Sequence, residues 1–388
     1  MVFHVRRRFC RSEFGKPPFY ATPSAIVKAR SASLPEPQAK EFPMPSTRHF
    51  ADSERLSNTV SDIVLGPVCG PAHQPPLRVS RRDFLKAQGT AALLLAAGGH
   101  GLLHARPLAA AQRADEAPDL TVARGEPGPA TRAAVEALGG MAAFVRPGQR
   151  VVIKPNMSFA QPPERATNTH PDVVRELAVM CREAGAARVR ILDHPLQNAE
   201  MCLVQSGIQE ACAALPDVSV HTLSAARFFR SVPIPLGEQL RETQVMEDVL
   251  TADVLIAAPV AKSHSATGVS LAMKGMLGLI LDRGVLHRRF DLHTAIVDLT
   301  TLLMPDLTVV DATRVLSTNG PFGPGKVLQE DTVIASRDVV AADAMAVSLF
   351  EWYGRRFEPR QVRHILLAHE RGLGSMELSR LRIDEIAA

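Results

Sequence analysis

From about residue 119 onward, short apolar runs alternate with stretches of helical spacing. Val151-Val152-Ile153, Val189 to Leu192, Val218 to Thr222, Val254 to Ala261, Leu307 to Val310 and Thr332 to Ala335 are of strand length, and Asp119 to Val122 is a shorter one. Between them, Ala130 to Leu138, Pro171 to Ala184, Ala199 to Leu215, Thr294 to Leu303, Val339 to Glu351 and Pro359 to Arg371 read as helices. Gly139-Gly140 and Gly185 stand where two of these should end, and Pro171 where one should begin. Alternation of this kind predicts an α/β fold: a largely parallel sheet with helices on both faces. Thr222 to Glu247 fits neither period and is expected to be a small insertion with irregular strands. With no internal repeat and no long linker, residues 112–388 are expected to form one domain.

The central run has a distinct continuation. After Val254 to Ala261 come Lys262-Ser263-His264-Ser265-Ala266-Thr267-Gly268, then Val269-Ser270-Leu271-Ala272-Met273-Lys274-Gly275. Leu271 and Lys274, three apart, suggest a helix opening, with Thr267 as its N-cap. A cation, an imidazole and hydroxyls would then crowd one turn at the carboxyl end of a buried strand, where open α/β sheets bind ligands.

The first hundred residues read differently. Residues 1–78 are rich in Arg, Pro, Ser and His without an apolar period, and are expected to be disordered, or untranslated if synthesis starts at Val79. Ser80-Arg81-Arg82-Asp83-Phe84-Leu85-Lys86, an apolar run from Ala87 to Leu103, and Leu108-Ala109-Ala110-Ala111-Gln112 follow in the order of a twin-arginine signal peptide, residues 79–111, cut after Ala111. This predicts export to the periplasm, with the twin-arginine translocon as a transient partner. The run is shorter than the roughly 20 residues of a spanning helix, so no stable membrane span is expected.

Composition adds exclusions. Hydrophobic content of 46% and charged content of 22% suit a soluble globular chain. A net charge of +4 with scattered arginines carries no nucleic-acid signature. Cys181, Cys202 and Cys212 are odd in number without C-x-x-C spacing, so no zinc or iron–sulfur motif can be built from them. They fit buried free thiols, or a single disulfide such as Cys202–Cys212.

Four strands end on a charged residue followed by a polar one: Lys154 with Asn156, Asp193 with His194, Lys262 with His264, and Asp311 with Thr313. In a parallel sheet these ends converge on one edge. Asn168-Thr169-His170-Pro171-Asp172 precedes a helix, where His170 serves as a cap, an anion contact, or both. Thr267-Gly268 between Lys262 and Lys274 suits a carboxylate or phosphate. His287, Asp291 and His293 place imidazoles beside a carboxylate, as proton shuttles or, for Asp291, a cap; a metal could be assembled from His264, His293 and Asp311. The turn-rich loop Ser317 to Gly325, containing Asn319, is placed to wall the site.

Several of these segments together resemble the DUF362 family. The carrying residues are Ile153-Lys154-Pro155-Asn156, Thr169-His170-Pro171, Lys262-Ser263-His264, and Thr267-Gly268-Val269-Ser270-Leu271-Ala272-Met273-Lys274-Gly275. Asn319-Gly320-Pro321 with Gly323 and Gly325, then Ala335-Ser336-Arg337-Asp338 with Val340-Ala341-Ala342-Asp343, complete the set in order. The resemblance implies an α/β domain without naming a reaction or a cofactor. Many such relatives carry ferredoxin-like cysteine motifs; this chain has none, so an iron–sulfur role would need a separate partner protein.

The leading expectation is an enzyme acting by proton transfer on a small anionic, carboxylate-type substrate. His264 and His293 would be acid and base, oriented by Asp311 or Asp291; Lys154, Asn156, His170, Lys262, Thr267, Lys274 and Asn319 would bind the substrate. The alternatives are a redox accessory that binds a metal or cofactor, and a non-catalytic small-anion-binding protein.

Overall fold

The structure, a computed structural model, describes residues 117–388, so the expected extension (1–78) and signal peptide (79–111) lie outside the described residues. In chain order the first half runs β1 (Leu120–Arg124), α1 (Pro127–Ala137), β2 (Arg150–Pro155), α2 (Pro171–Glu183), β3 (Arg188–Asp193), α3 (Ala199–Gln205), α4 (Ile208–Cys212), β4 (Val218–Thr222), β5 (Phe229–Pro233), β6 (Glu242–Met246) and α5 (Glu247–Thr251). The centre follows: β7 (Val254–Ala258), β8 (Val260–His264), β9 (Gly268–Ser270), α6 (Ala272–Gly275), α7 (Arg283–Arg289) and α8 (Leu292–Leu302). The remainder is β10 (Leu307–Leu316), β11 (Val327–Ser336), α9 (Val339–Leu349), β12 (Glu351–Trp352), β13 (Arg355–Arg356), α10 (Arg363–Glu370) and β14 (Ile383–Ala387).

The main sheet has the order β14-β1-β11-β10-β7-β2-β3-β4, with β8 on β10 and β9 on β8. Pairing is parallel from β10 through β7, β2 and β3 to β4, and antiparallel where β11 meets β10 and β1. Side chains alternate between its faces. Val151, Ile153, Val189, Ile191, Val254 and Ile256 pack with α1, α2 and α4. Val152, Leu192, Leu255, Ala257 and Val310 pack with α8, α9 and α10 on the other side. Each such buried aliphatic contributes roughly 1.5–3 kcal/mol, which explains why the central strand β7 is apolar at every position and its neighbours carry apolar residues on both faces. The α/β architecture with helices on both faces is as expected, and Thr222 to Glu247 does contain a separate two-stranded ribbon, β5 with β6. The parallel strand β14 beside β1 was not anticipated.

The central unit differs from its sequence reading. Pro259 breaks the apolar run into β7 and β8, both of which run alongside β10. Gly268–Ser270 is strand, pairing antiparallel with β8, so Thr267 sits in a hairpin turn and its hydroxyl donates to the Val269 carbonyl at 2.9 Å. The helix starts only at Ala272, and its cap is Asp343 from α9. Its two carboxylate oxygens accept the Ala272 and Met273 amides at 2.8 and 3.1 Å. Thr267 is therefore not an N-cap; a carboxylate 71 residues further along the chain took that role. Burial raises Asp343 to about 7. Among the described residues, no helix is long and apolar enough to cross a membrane, and Cys181, Cys202 and Cys212 are buried free thiols.

Candidate anion site at the strand ends

Strand ends β2, β3 and β8 open onto a cavity of about 550 Å³, the size of a small-molecule site. Lys154, Asp193 and Lys262 line it from those ends; Lys274 enters from α6, Arg283 and His287 from α7, and His264 from the last residue of β8. Ser158, Phe159 and His194 come from the segments after β2 and β3, and Pro321 and Phe322 from the turn-rich loop.

That loop is seated by close approach of backbone. Gly320 N–H donates to Ser263 Oγ at 2.9 Å, and a Cβ on Gly320 would fall 1.9 Å from the Ser263 carbonyl oxygen. Asn319, exposed and at φ 54°, accepts Gly323 N–H on its carbonyl and donates its side-chain amide to Pro324 O. It shapes the wall and does not line the cavity. Phe322 then closes on Phe159, rings 5.3 Å apart and edge to face.

Two carboxylates line the cavity. Asp193, fully buried, places Oδ1 3.1 Å from Lys154 Nζ, while Oδ2 accepts Met157 N–H at 2.7 Å and Ser158 O–H at 2.8 Å. Lys154 also donates to the Pro155 carbonyl. Burial lowers Lys154 against the pull of Asp193. Asp282 is exposed and caps α7 by accepting Val285 N–H. With Lys154 matched by Asp193, Lys262, Lys274 and Arg283 leave the cavity basic.

Lys262 is 2% exposed, donates to Thr167 O at 2.5 Å and lies 4.9 Å over the Phe159 ring. Burial, with Lys154 and Lys274 adding repulsion, pushes it down to about 7. Lys274 is 9% exposed with no hydrogen bond or ion pair among the described residues; burial and the charges of Arg283 and Lys154 push it to about 8. Both lysines therefore destabilise the empty fold while charged, fully below those values, and the cost is relieved as pH rises toward the unfolded value of about 10.4. Replacing Lys274 with Met is expected to raise the thermal midpoint of the ligand-free protein, with a larger gain at pH 6 than at pH 9. Calorimetric scans at the two pH values check this; an unchanged or lowered midpoint at pH 6 rejects an uncompensated buried cation.

His264 accepts Ala266 N–H on Nδ1 at 3.1 Å, which puts its proton on Nε2. Its ring stacks on His287 at 6.2 Å. Burial, then Lys274, drives His264 down to about 2, so it is a neutral donor at physiological pH. Asn156 spends its Oδ1 on Val260 N–H at the Pro259 break, and its Nδ2 makes no hydrogen bond among the described residues. That N–H₂ is available to a ligand.

The other expected site residues are elsewhere. His170 caps α2 through Nδ1 and donates its backbone N–H to Asp311 at 2.7 Å. Asp311 spends its other oxygen on Thr313 N–H and O–H. Neither lines the cavity, although Asp311 does end up at the same sheet edge. Asp291 caps α8 by accepting Thr294 N–H and O–H at 2.9 Å, and pairs with Arg363 at 2.8 Å. His293 faces His364, Nδ1 to Nδ1 3.3 Å, beside a second cavity of about 330 Å³ lined also by Arg355, Arg356 and Arg363. The hairpin turn around Ala266 and Thr267 stands between the two cavities. The pairing of His264 with His293 as acid and base, and of both with Asp311 as metal ligands, is not what the geometry presents. Among the described residues, no three His, Cys, Asp or Glu side chains are grouped to hold a metal ion.

Asp193, Arg283 and Phe322 were missing from the expected binding set. Asp193 was visible as a charged strand end; Arg283 and Phe322 gave no local signal, because folding alone brings them to the edge.

A thylakoid-associated protein of Synechocystis sp. is 26% identical over 229 residues, 57% of this chain and 68% of that protein. The structure of the lactate racemase apoprotein from Thermoanaerobacterium thermosaccharolyticum superposes with a TM-score of 0.37 at 14% identity, over 58% of this chain and 56% of that one; the chain thus spans just over half of that structure's length. The model of the family described as Domain of unknown function (DUF362) matches residues 151–348. Those residues contain both walls of the lysine-lined cavity and make up half of the sequence, and the chain belongs to the DUF362 family.

Proposed function

We propose that the cavity binds a small anion of carboxylate type and that the protein is an enzyme acting on it, with proton transfer at the lysines. One observation carries this reading: Lys262 and Lys274 are both buried on the wall of a small cavity that Arg283 also lines, and the buried carboxylate of that cavity, Asp193, attracts Lys262 but is ion-paired to Lys154. Buried cations of that kind are costly to the fold and are matched when an anion arrives. Asn156 Nδ2 and His264 Nε2–H supply neutral donors, which orient an oxygen without adding charge.

The acid–base role passes from the histidines to the lysines. A neutral His264 whose Nδ1 is already occupied donates a hydrogen bond and does not cycle as imidazolium. Lysines held near 7 and 8 titrate in the range where a general base or acid is effective.

Anion binding should then take up protons. Below about pH 7 both lysines are charged before binding and affinity is at its plateau; above about 8 the anion must bring protons with it. Affinity for malonate is expected to fall by up to about tenfold per pH unit for each neutral lysine. The groups facing the pair are Lys154, Asp193, Arg283, His264, His287 and His364, and burial holds the two lysines themselves inside that window. Titration calorimetry in buffers of different ionisation enthalpy reads the uptake directly; pH-independent affinity from 6 to 9 rejects the reading.

We also propose export by the twin-arginine route, with the mature chain starting at about Gln112 in the periplasm. It is supported by the order of basic pair, apolar run and small-residue site in residues 80–112. N-terminal sequencing of the protein recovered from periplasm tests it, and recovery from the cytoplasm alone, with residues 79–111 intact, rejects it.

A further inference from the structure

We propose that Lys274 is an imine-forming amine, and that the anion admitted to the cavity is a small α-oxo carboxylate. The proposal rests on the anion-pocket reading and names its substrate class.

Three lysines line the cavity, and two are committed. Lys154 is held by Asp193 and the Pro155 carbonyl, and Lys262 by the Thr167 carbonyl and the face of Phe159. Lys274 is nine-tenths buried, makes no hydrogen bond or ion pair among the described residues, and is not sealed from the cavity it lines. Its backbone is fixed as well, since both oxygens of Asp343 hold the first amides of α6, one and two residues before it. A cation without a partner among the described residues, on a rigid element and beside Arg283 and Lys154, gives up its proton more readily than an exposed lysine, at about 8. Desolvation next to a second cation is the setting that makes a lysine nucleophilic toward carbonyl carbon.

The rest of the cavity fits the remainder of such a molecule. Lys262 and Arg283 face the carboxylate, and because the space is only about 550 Å³ the reacting carbonyl must lie close to it. The amine of Lys274 adds to the carbonyl carbon, the carbonyl π pair passes to oxygen, and a proton moves from nitrogen to that oxygen. The carbon–oxygen bond then breaks, the oxygen leaves as water with a second proton, and a carbon–nitrogen double bond remains. Nothing is oxidised or reduced. The Nε2–H of His264 and the Nδ2 of Asn156 are neutral donors for the oxygen as it becomes negative.

Incubating the folded protein with pyruvate and cyanoborohydride, followed by peptide mapping, tests the proposal. The expected result is one secondary amine, on Lys274, that is absent from Lys274→Met and loses its selectivity when the protein is denatured first. The Met variant is expected to fold, and its far-ultraviolet circular dichroism establishes that. No adduct on the folded wild type, or equal labelling of surface lysines, overturns the proposal. Malonate calorimetry on the same sample separates the two readings. Malonate binding without a pyruvate adduct overturns the imine and leaves the anion pocket standing; absence of malonate binding removes both.

Discussion

Replacing Lys154 with Met is expected to cost about 3–5 kcal/mol of stability, although the substitution keeps most of the side-chain volume. Lys154 and Asp193 are 2% and 0% exposed, and their charges stand 3.1 Å apart. Removing the ammonium strands a carboxylate that water cannot reach. The two donors on Oδ2, Met157 N–H and Ser158 O–H, remain, but they satisfy only one oxygen. Urea denaturation at pH 7 reads the loss. Asp193→Asn in the same chain should restore most of the loss, since Asn keeps an acceptor for Met157 and Ser158. A single variant within about 1 kcal/mol of the parent at pH 7 would show that the pair is not what holds this edge together.

The contrast with Lys274 is informative, since both lysines are buried in one cavity. Lys154 is structural because a carboxylate from the neighbouring strand meets it, and its loss should hurt. Lys274 has no such neighbour, and its loss should help the empty fold. Residues retained at a cost to stability are the ones to associate with a ligand.

How far the sequence disclosed this follows the range of the forces involved. The alternation of apolar runs and amphipathic stretches is written locally, so the sheet and both helical layers were legible. Strand-end polarity was legible too, and it located Lys154, Asp193, Lys262 and Asp311 on one edge. What failed was the step from type to role. Thr267 looked like a cap because Thr before an apolar run usually is one, but Asp343 supplied the cap through space. His293 and Asp291 shared a segment with His287, yet α7 ends between them; His287 enters the lysine cavity and His293 turns toward His364. In one dimension His170 looks like an anion contact and Asp311 like a catalytic carboxylate; in three they spend their polar atoms on a helix cap and on the backbone. Spacing along the chain places a residue on an edge; it does not say which hydrogen bonds have already been taken.

Gly278→Ala is expected to cost about 2–3 kcal/mol and to abolish malonate binding, although it neither adds nor removes a charge. Gly278 lies in the short 3-10 turn Met276–Leu279 between α6 and α7, and its carbonyl accepts His194 N–H at 2.8 Å. A Cβ there would fall 2.2 Å from Asp193 Oδ1, 2.6 Å from Lys154 Cε and 2.9 Å from Lys154 Nζ. Elsewhere a flexible side chain would swing away from such a contact. Here Oδ2 of Asp193 is fixed by two donors and Lys154 is bound to Oδ1, so either the ion pair separates or the turn carrying Gly278 lifts from the strand ends. Both movements shift the cavity wall, which is why binding should fall with stability. A double-mutant cycle isolates the cause: with Asp193→Ala already in place the closest contact is gone, and adding Gly278→Ala should cost about 1–3 kcal/mol less than it does alone. Strict additivity would place the damage of the alanine elsewhere in the turn, and the methyl-sized gap left by glycine would no longer account for how two opposite charges come to be buried at the end of adjacent strands.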